Sequence, residues 1–538
     1  MSVSGAISGR LSARNRRKVL CVSPVYARSF GTFEHAYSFR GTRAFMPPQG
    51  LLVIASALPE NWDVRFIDEN IAPAHASDFV WADVVLVSGM HIQRRAINDI
   101  NARAHNFGKP TVLGGPSVSA CPEHYPEFDY IHIGELGDAT QAIVKAIDEN
   151  PRRPGRQVRF ETVERVPLQD FPVPAYHLAE LKRYFIGNVQ FSSGCPYQCE
   201  FCDIPALYGR NPRLKTPQQV TKELDAMLAA GAFGAAYFVD DNFIGNRRAA
   251  RELVEVLIDW QKANGYPFAF ACEATLNISK HTELLKLMRE AYFTTIFCGI
   301  ETPELDALHA MKKDHNANLP LYEAIETLNS YGFEVVSGII LGLDTDTEET
   351  PARILEFIRR SNIPMLTINL LQALPRTALY DRLAREHRIV EDETLESNVV
   401  FRRPYDDVVA SWKHVIEKAY TPEALYERFQ YNVEHTYPNR ISPQFGANRA
   451  SFSNILYGLR IIANIFVRVG ALSDYRKVFW NVALPLLRAG RIEEMIHIGL
   501  VAHHLIKFTR EAISGEQNAS FYAPVERAPI ERARAAAA

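Results

Sequence analysis

The sequence predicts an α/β protein. An open, doubly wound parallel sheet over residues 18–150 precedes an incomplete parallel barrel of six βα units over 184–388, and a mainly helical region follows over 389–538. Three observations predict this. Short apolar runs alternate with helix-like periods from 18 to 150, the alternation restarts at 184 and recurs six times, and strand signals fade after 388. Short apolar strands separated by helices imply a parallel sheet covered on both faces.

In the first region the strands fall at 18–24, 63–70, 83–89, 110–116 and 130–135, with helical periods at 49–59, 91–108 and 137–150. Residues 151–183, rich in proline and charge at their start and poor in regular period at their end, read as a linker. In the second region the strands fall at 184–194, 235–241, 267–275, 294–302, 334–342 and 365–373, each followed by a helical run. Six such units are an incomplete version of the eight-unit barrel, whose function sits at the carboxyl ends of the strands. Helical runs at 451–472 and 491–513 dominate the last region, and its end, 531–538, reads as frayed.

Composition narrows the class. Of 538 residues, 47% are hydrophobic and 22% charged, which fits a globular protein and excludes a disordered or collagen-like chain. Fifty-nine Lys+Arg oppose 62 Asp+Glu, so no overall basic excess points to nucleic acid. Arg14, Arg16, Arg17 and Lys18 precede only a brief apolar run, too short for a secretory core, and no run of about 18 apolar residues suggests a membrane span. The cytoplasm is the expected compartment.

Seven cysteines make no disulfide framework, but Cys195, Cys199 and Cys202 lie within eight residues, spaced C-x3-C-x2-C after the first barrel strand. Three thiolates on one loop can ligate three irons of a [4Fe–4S] cluster and leave the fourth open. A structural zinc site would want a fourth ligand, and none stands close in sequence. Cys21, Cys272 and Cys298 fall in apolar strands and read as small core hydrophobes, as does Cys121 with less support from its context.

This motif at the end of the first of six βα units resembles the radical S-adenosylmethionine (SAM) enzymes. The resemblance implies that SAM chelates the open iron and is cleaved reductively to a 5′-deoxyadenosyl radical. It implies that Phe201 packs near the adenine, that Asp240, Asp241 and Asn242 stand where the family binds the SAM amino group, and that Gly338 and Gly342 contact adenine. The Asp-Asp-Asn segment departs from the family's Gly-Gly-Glu-like pattern, and helix capping before Asn246 is its other reading. Glu273 and Glu301, ending two strands, are candidates for the SAM ribose or plain loop carboxylates. Close strand packing is the alternative for the two glycines.

The first region ends its strands in small polar groups: Ser88 with Gly89, Gly114-Gly115-Pro116-Ser117, and Gly134-Glu135. Open parallel sheets bind ligands beyond these ends, although such loops also serve as plain turns. Ahead of a radical SAM barrel, the region resembles the Rossmann-like cobalamin-binding domain of the cobalamin-dependent class, in which these loops surround the corrin and its tail. The D-x-H-x-x-G motif that supplies a histidine to cobalt elsewhere is missing, and His91 lacks that context, so cobalt without a histidine from this motif is expected.

The chain as a whole resembles the hopanoid C-2 methylases, through 40–50, 195–210 and the helical tail. That resemblance implies a cobalamin-dependent radical SAM methyltransferase acting on carbon 2 of the hopanoid A-ring. It implies a hopanoid lipid as substrate, a reductase, ferredoxin or flavodoxin as electron donor, and no nucleic-acid partner. No side-chain acid–base signature is needed, because the cofactors carry the chemistry. Leu456, Ile461, Ile462, Ile465 and Phe466 beside Arg460 and Arg468 would suit peripheral contact with the inner membrane, or simply packing on the barrel. Methylation or ring closure of another apolar molecule, a cobalamin-binding sensor and a zinc-binding interaction protein are the rival readings.

Overall fold

A computed structural model describes residues 11–232, 234–390, 392, 395–446 and 452–515; the tail 531–538 lies outside the described residues. The first sheet contains all five expected strands, β1 (Lys18–Ser23), β2 (Asp63–Asp68), β3 (Val84–Ser88), β4 (Thr111–Gly114) and β5 (Tyr130–Ile133), in parallel register. Alternate residues of these strands pack opposite ways. Leu20, Val22, Val85, Val87, Leu113 and Ile131 join Ile97 and Ile100 of helix Arg94–Asn106. Val19, Cys21, Val84, Leu86 and Val112 join Leu51 of Gln49–Ala57 and Ile143 of Asp138–Glu149. That alternation, with both faces buried, is the doubly wound arrangement.

The expected linker at 151–183 is partly strand. Val158–Glu161 forms β6, which pairs parallel to β5 and extends the order to β2-β1-β3-β4-β5-β6. Its four residues are half-buried and exposed in turn, as suits an edge strand, and so short a run carries little periodic signal. Helices Glu34–Arg40, Ala76–Trp81 and Pro116–Ala120 were also not evident from periodicity; each has seven residues or fewer.

The second sheet is β14-β13-β12-β11-β10-β7, with β7 Gly187–Val189, β10 Gly234–Phe238, β11 Phe268–Glu273, β12 Phe293–Glu301, β13 Glu334–Leu341 and β14 Met365–Leu370. The printed registers from β10 to β14 are all parallel. The long first strand expected at 184–194 is broken. After β7, Ser192–Ser193 (β8) pairs antiparallel with Arg213–Leu214 (β9), and Gly194 turns away at φ 97°. Phe238, Phe270 and Phe293, on adjacent strands β10, β11 and β12, pack ring on ring at 5.3–5.6 Å between centroids and are almost wholly buried.

Beyond residue 404 the described chain is helical: Tyr405–Ala419, Pro422–His435, Phe452–Ile465 continuing as a π-helical stretch through Ala471, Arg476–Arg488 and Ile492–Ser514. Contacts among the described residues group those up to 26, 46–194 and 204–232 into one compact unit. Residues 27–45, 195–203 and those from 234 onward form another.

Candidate active site

Cys195, Cys199 and Cys202 are half-buried on one loop, and none is in a disulfide. The loop is pinned at several points. The Tyr197 hydroxyl accepts from Asn277 Nδ2 at 2.9 Å, and its ring stacks on His315 with 3.9 Å between centroids. Arg382 donates to both oxygens of Glu200 at 2.7 and 3.1 Å, and to Asp344 at 2.7 Å. The Glu200 backbone donates to Met311 and accepts from Leu379, both at 2.9 Å. A loop tied this way holds its thiols in place before any metal arrives, which is what an open catalytic centre requires.

Burial pushes the Cys195 and Cys199 thiols up, while the Lys313 ammonium pulls both down. The Asn242 side chain also hydrogen-bonds Cys195. Lys313 is itself buried, donates to Glu301 Oε1 at 2.5 Å, and lies 5.5 Å from the centre of the Phe201 ring. Burial and Lys313 hold the His315 imidazole down at about 4. Three thiols and a cation beside them fit an iron–sulfur cluster, whose thiolate ligands need such compensation.

The expected SAM residues gather unevenly. Asp240, Asp241 and Asn242 follow β10; Asp241 acts on Cys195 electrostatically, and Asp240 and Asn242 are buried. The cap of helix Arg247–Asn264 is Asn246, which accepts from Ala249, so the Asp pair is not needed for capping. Glu273 ends β11 and accepts from the Tyr237 hydroxyl at 3.2 Å; burial raises its carboxyl to about 7, against that hydrogen bond and with help from Asp241 and Asp240. Glu301 ends β12 at φ 68°. Added Cβ atoms at Gly299 and Gly338 would lie 2.5 and 3.4 Å from its carboxylate, so both glycines make room for the Glu301–Lys313 pair. Gly342, at φ 90°, instead makes room for the Phe401 ring. Carboxylates beside the thiol loop fit the ammonium end of SAM.

In the first unit, β1 and β3 flank the point where strand order reverses, the usual ligand crevice of an open sheet. Two apolar side chains stand exposed just past those strand ends, Val25 at 45% and Met90 at 43%. Gly115 adopts φ 95°, and a Cβ there would meet Ser88 Oγ at 2.5 Å, so the ends of β3 and β4 approach at a distance only glycine allows. An apolar rim beside glycine-walled loops fits a flat corrin. The other expected contacts have partners already. Ser117 Oγ pairs with Tyr125 Oη at 2.5 Å, Gly134 N donates to Ser119, and Glu135 binds Arg165 and Arg213 at 2.9 and 2.7 Å. Gly114 and Pro116 complete the β4 loop.

Family models match in three places: a B12 binding domain at 42–144, the radical SAM superfamily at 189–358, and a domain of unknown function (DUF4070) at 377–518. Over 512 residues, 95% of this chain and 97% of the relative, the sequence is 57% identical to the hopanoid C-2 methylase of Rhodopseudomonas palustris (strain TIE-1). The chain belongs to the hopanoid C-2 methylase family. As a member of it, this chain is a cobalamin-dependent radical SAM methyltransferase, with a [4Fe–4S] cluster, SAM and cobalamin as cofactors. It is also 32% identical to an uncharacterized methyltransferase of Synechocystis sp. (strain ATCC 27184 / PCC 6803 / Kazusa), over 93% of each chain. The fold is that of the cobalamin-dependent SAM radical enzyme OxsB (TM-score 0.58, 13% identity, 96% of this chain and 83% of that one). It is likewise that of the radical SAM methyltransferase TsrM from Kitasatospora setae (0.56, 14%, 93% and 100%).

For this hopanoid C-2 methylase family member, sequence reasoning missed Lys313, His315, Arg382, Val25 and Met90. A lysine or arginine in a helical run carries no mark of its partner, and Val25 and Met90 stand out only once their exposure is known. Cys121 is less of a bystander than expected: with His91 and His124 it places three ligand-type atoms within 4.8 Å of one another. Cys21 and Cys298 behave as foreseen, burial lifting each thiol to about 12. In the helical region Ile461, Ile465, Phe479, Val482 and Leu486 are buried, whereas Leu456 and Leu484 are exposed. Asn454–Ala471, inside the helical run expected at 451–472, is long and apolar enough to cross a membrane by length and composition, with 22% of it buried, where the sequence reading expected no spanning run.

Proposed function

We propose that this chain methylates carbon 2 of the A-ring of a hopanoid. The observation that carries this reading is the 57% identity over 95% of the chain to an enzyme named for that reaction. When bound, the cluster and SAM supply a hydrogen-abstracting radical and cobalamin supplies the methyl group. The chain's own part is positional. Cys195, Cys199 and Cys202 hold the cluster, with Glu200–Arg382 and Tyr197–Asn277 keeping the loop rigid. Asp241 and Asn242, which act on Cys195, would hold the SAM ammonium, and Glu273 and Glu301 would serve its ribose. Phe201 would border the adenine, while Gly338 and Gly342, expected beside it, also make room for Glu301 and for the Phe401 ring. The crevice at Ser88, Gly114, Gly115 and Pro116 would receive the cobalamin, with Ser117, Gly134 and Glu135 bracing its loops through their own partners.

A reductase, ferredoxin or flavodoxin supplies the electrons. A pentacyclic lipid must leave a bilayer to be processed, and Ile455, Leu456, Leu459, Val467 and Leu472 expose more than half of their surface beside Arg460. Exposed apolar side chains bordered by arginine suit the plane of an anionic membrane. Arg468 is occupied otherwise, on Ser38 and over the Phe39 ring.

The test is anaerobic turnover of reconstituted protein with cobalamin, SAM, a low-potential reductant and diploptene, read by mass spectrometry. A 2-methylated hopanoid with 5′-deoxyadenosine supports the reading. Deoxyadenosine without methylated hopanoid overturns the substrate and leaves the radical chemistry. Co-sedimentation with anionic liposomes tests the membrane contact, which a fully soluble result in the presence of lipid and substrate rejects.

A further inference from the structure

Away from the cluster loop, a second group of ligating side chains closes in the second unit. Glu34 and His35 begin helix Glu34–Arg40, and His504 lies within helix Ile492–Ser514. One ligand atom from each of the three lies within 4.8 Å of the other two.

The hydrogen bonds around these residues sort their atoms into those already committed and those left. His504 is fully buried, and its Nε2 meets the Phe30 carbonyl at 3.1 Å. A carbonyl only accepts, so the proton sits on Nε2 and Nδ1 carries the lone pair. That Nδ1 is buried and has no hydrogen-bond partner among the described residues. His35 Nε2 meets Glu511 Oε2 at 3.0 Å, so it too is the donor and leaves Nδ1. Glu34 Oε2 accepts from Thr32 Oγ1 at 2.6 Å, while Oε1 is buried with no hydrogen-bond partner among the described residues. Metal-ligating histidines show this pattern: the second ring nitrogen donates to a carboxylate or a backbone carbonyl, which sets the tautomer and aims the first at the ion. Two orphaned buried acceptors in one such group are costly without an ion.

The surroundings agree. Phe33, Phe508 and Phe30 wall the group; the Phe33 and Phe508 rings lie 5.1 and 5.8 Å from the His504 ring. Phe33 holds a left-handed backbone (φ 54°) at the residue before Glu34, a conformation that needs over-determination by its neighbours. Burial raises the Glu34 carboxyl, against the Thr32 hydrogen bond and the charge of Arg28, so an ion at the site would relieve a buried carboxylate; Glu511 on the far side of His35 brings a second one.

We propose that Glu34, His35 and His504 form a site for a divalent, imidazole-preferring cation of the zinc type, which clasps residues 27–45 to the helix Ile492–Ser514. Two histidines and a carboxylate are a common zinc set, with a fourth position left for water. Tetrahedral ligands lie roughly 3.4 Å apart at bond lengths of about 2.0–2.2 Å, so loading draws the three side chains together. Because Glu34 and His35 lie near the start of the chain and His504 near its end, the ion would close a very long loop, the case in which a cross-link constrains the unfolded chain most.

The full chain with its reconstituted cluster is equilibrated with zinc alone, desalted and analysed for zinc, iron and Zn K-edge EXAFS. About one zinc per chain with nitrogen and oxygen neighbours is expected, together with a higher Tm than the chelator-treated protein. Glu34→Gln and His35→Gln should lose the zinc but keep the cluster absorbance and the chelator-treated Tm. Glu511→Gln should weaken binding by about 10–100-fold. His504→Ala leaves a buried hole and is secondary. No retained zinc in the wild type overturns the proposal. So does zinc bound through sulfur, at the cluster loop or at Cys121 with His91 and His124. Zinc indifferent to Glu34→Gln and His35→Gln overturns it as well.

Discussion

Lys313 Nζ lies 2.5 Å from Glu301 Oε1, and both residues are nearly buried beside Cys199. Gly299 is the residue that makes this possible, since a Cβ there would come within 2.9 Å of the ammonium. The pair delivers a compensated charge to the edge of the cluster loop, and Phe201 covers the ammonium.

Replacing Lys313 with Met should make reduction of the cluster harder. A cation near a redox centre favours the added electron, and Glu301 would be left as a buried uncompensated anion. The expected shift is roughly 60 mV more negative, about tenfold in a one-electron equilibrium, with an unfolding cost of about 3–5 kcal/mol. An EPR redox titration measures it. Adding Glu301→Gln should recover part of the shift, and an unchanged potential in the single variant would remove Lys313 from the site.

Cys199→Ala should abolish the iron–sulfur absorbance and SAM cleavage together, because two thiolates cannot hold a cluster meant for three. Iron analysis and deoxyadenosine formation are the readouts; a zinc site would show neither signal in the parent protein.

Gly115→Ala should empty the cobalamin crevice. The new Cβ would lie 2.5 Å from Ser88 Oγ at φ 95°, a strain of about 1–3 kcal/mol. Cobalamin retained after gel filtration should fall strongly while the iron content stays, and equal retention would place the cofactor elsewhere.

In the cob(II)alamin form, the EPR spectrum should lack histidine-nitrogen splitting, as the missing D-x-H-x-x-G motif implies. His91 is the residue that tests this, since it follows β3 at the crevice. Splitting that disappears in His91→Ala would reverse the expectation.

Stability should fall in acid through Glu334. Burial would raise its carboxyl, but His497, Arg440 and the Tyr437 hydroxyl outweigh that and hold it at about 2. A depressed carboxyl stabilises the fold above its unfolded value and loses that contribution as pH falls through the folded one. The window therefore runs from about 4.5 down to about 2, with roughly 3 kcal/mol at stake. Chemical denaturation at a series of pH values should show this slope, and Glu334→Gln should flatten it.

Parts of the site were legible because they are local. Cys195, Cys199 and Cys202 announce themselves within eight residues, and the strand ends that bear Asp240, Glu273 and Glu301 follow from alternation that repeats along the chain. The broken first barrel strand was not legible, because its apolar run hides the turn at Gly194 and the pairing of Ser192 with Leu214. The edge strand β6 was lost for a similar reason: four residues between proline-rich stretches carry little period.

The sequence by itself determined the two parallel α/β regions, the helical end and the closely spaced cysteine triad that pointed to the class of chemistry, since each is written in spacing over a few turns or strands. Only the tertiary structure decided which charges meet. Arg382 finds Glu200 across 182 positions, and His504 finds the Phe30 carbonyl across 474. Such pairs depend on chain closure and burial, which set partners in space rather than in sequence, and a lone Arg, Lys or His in a helix carries no sign of the group it will face.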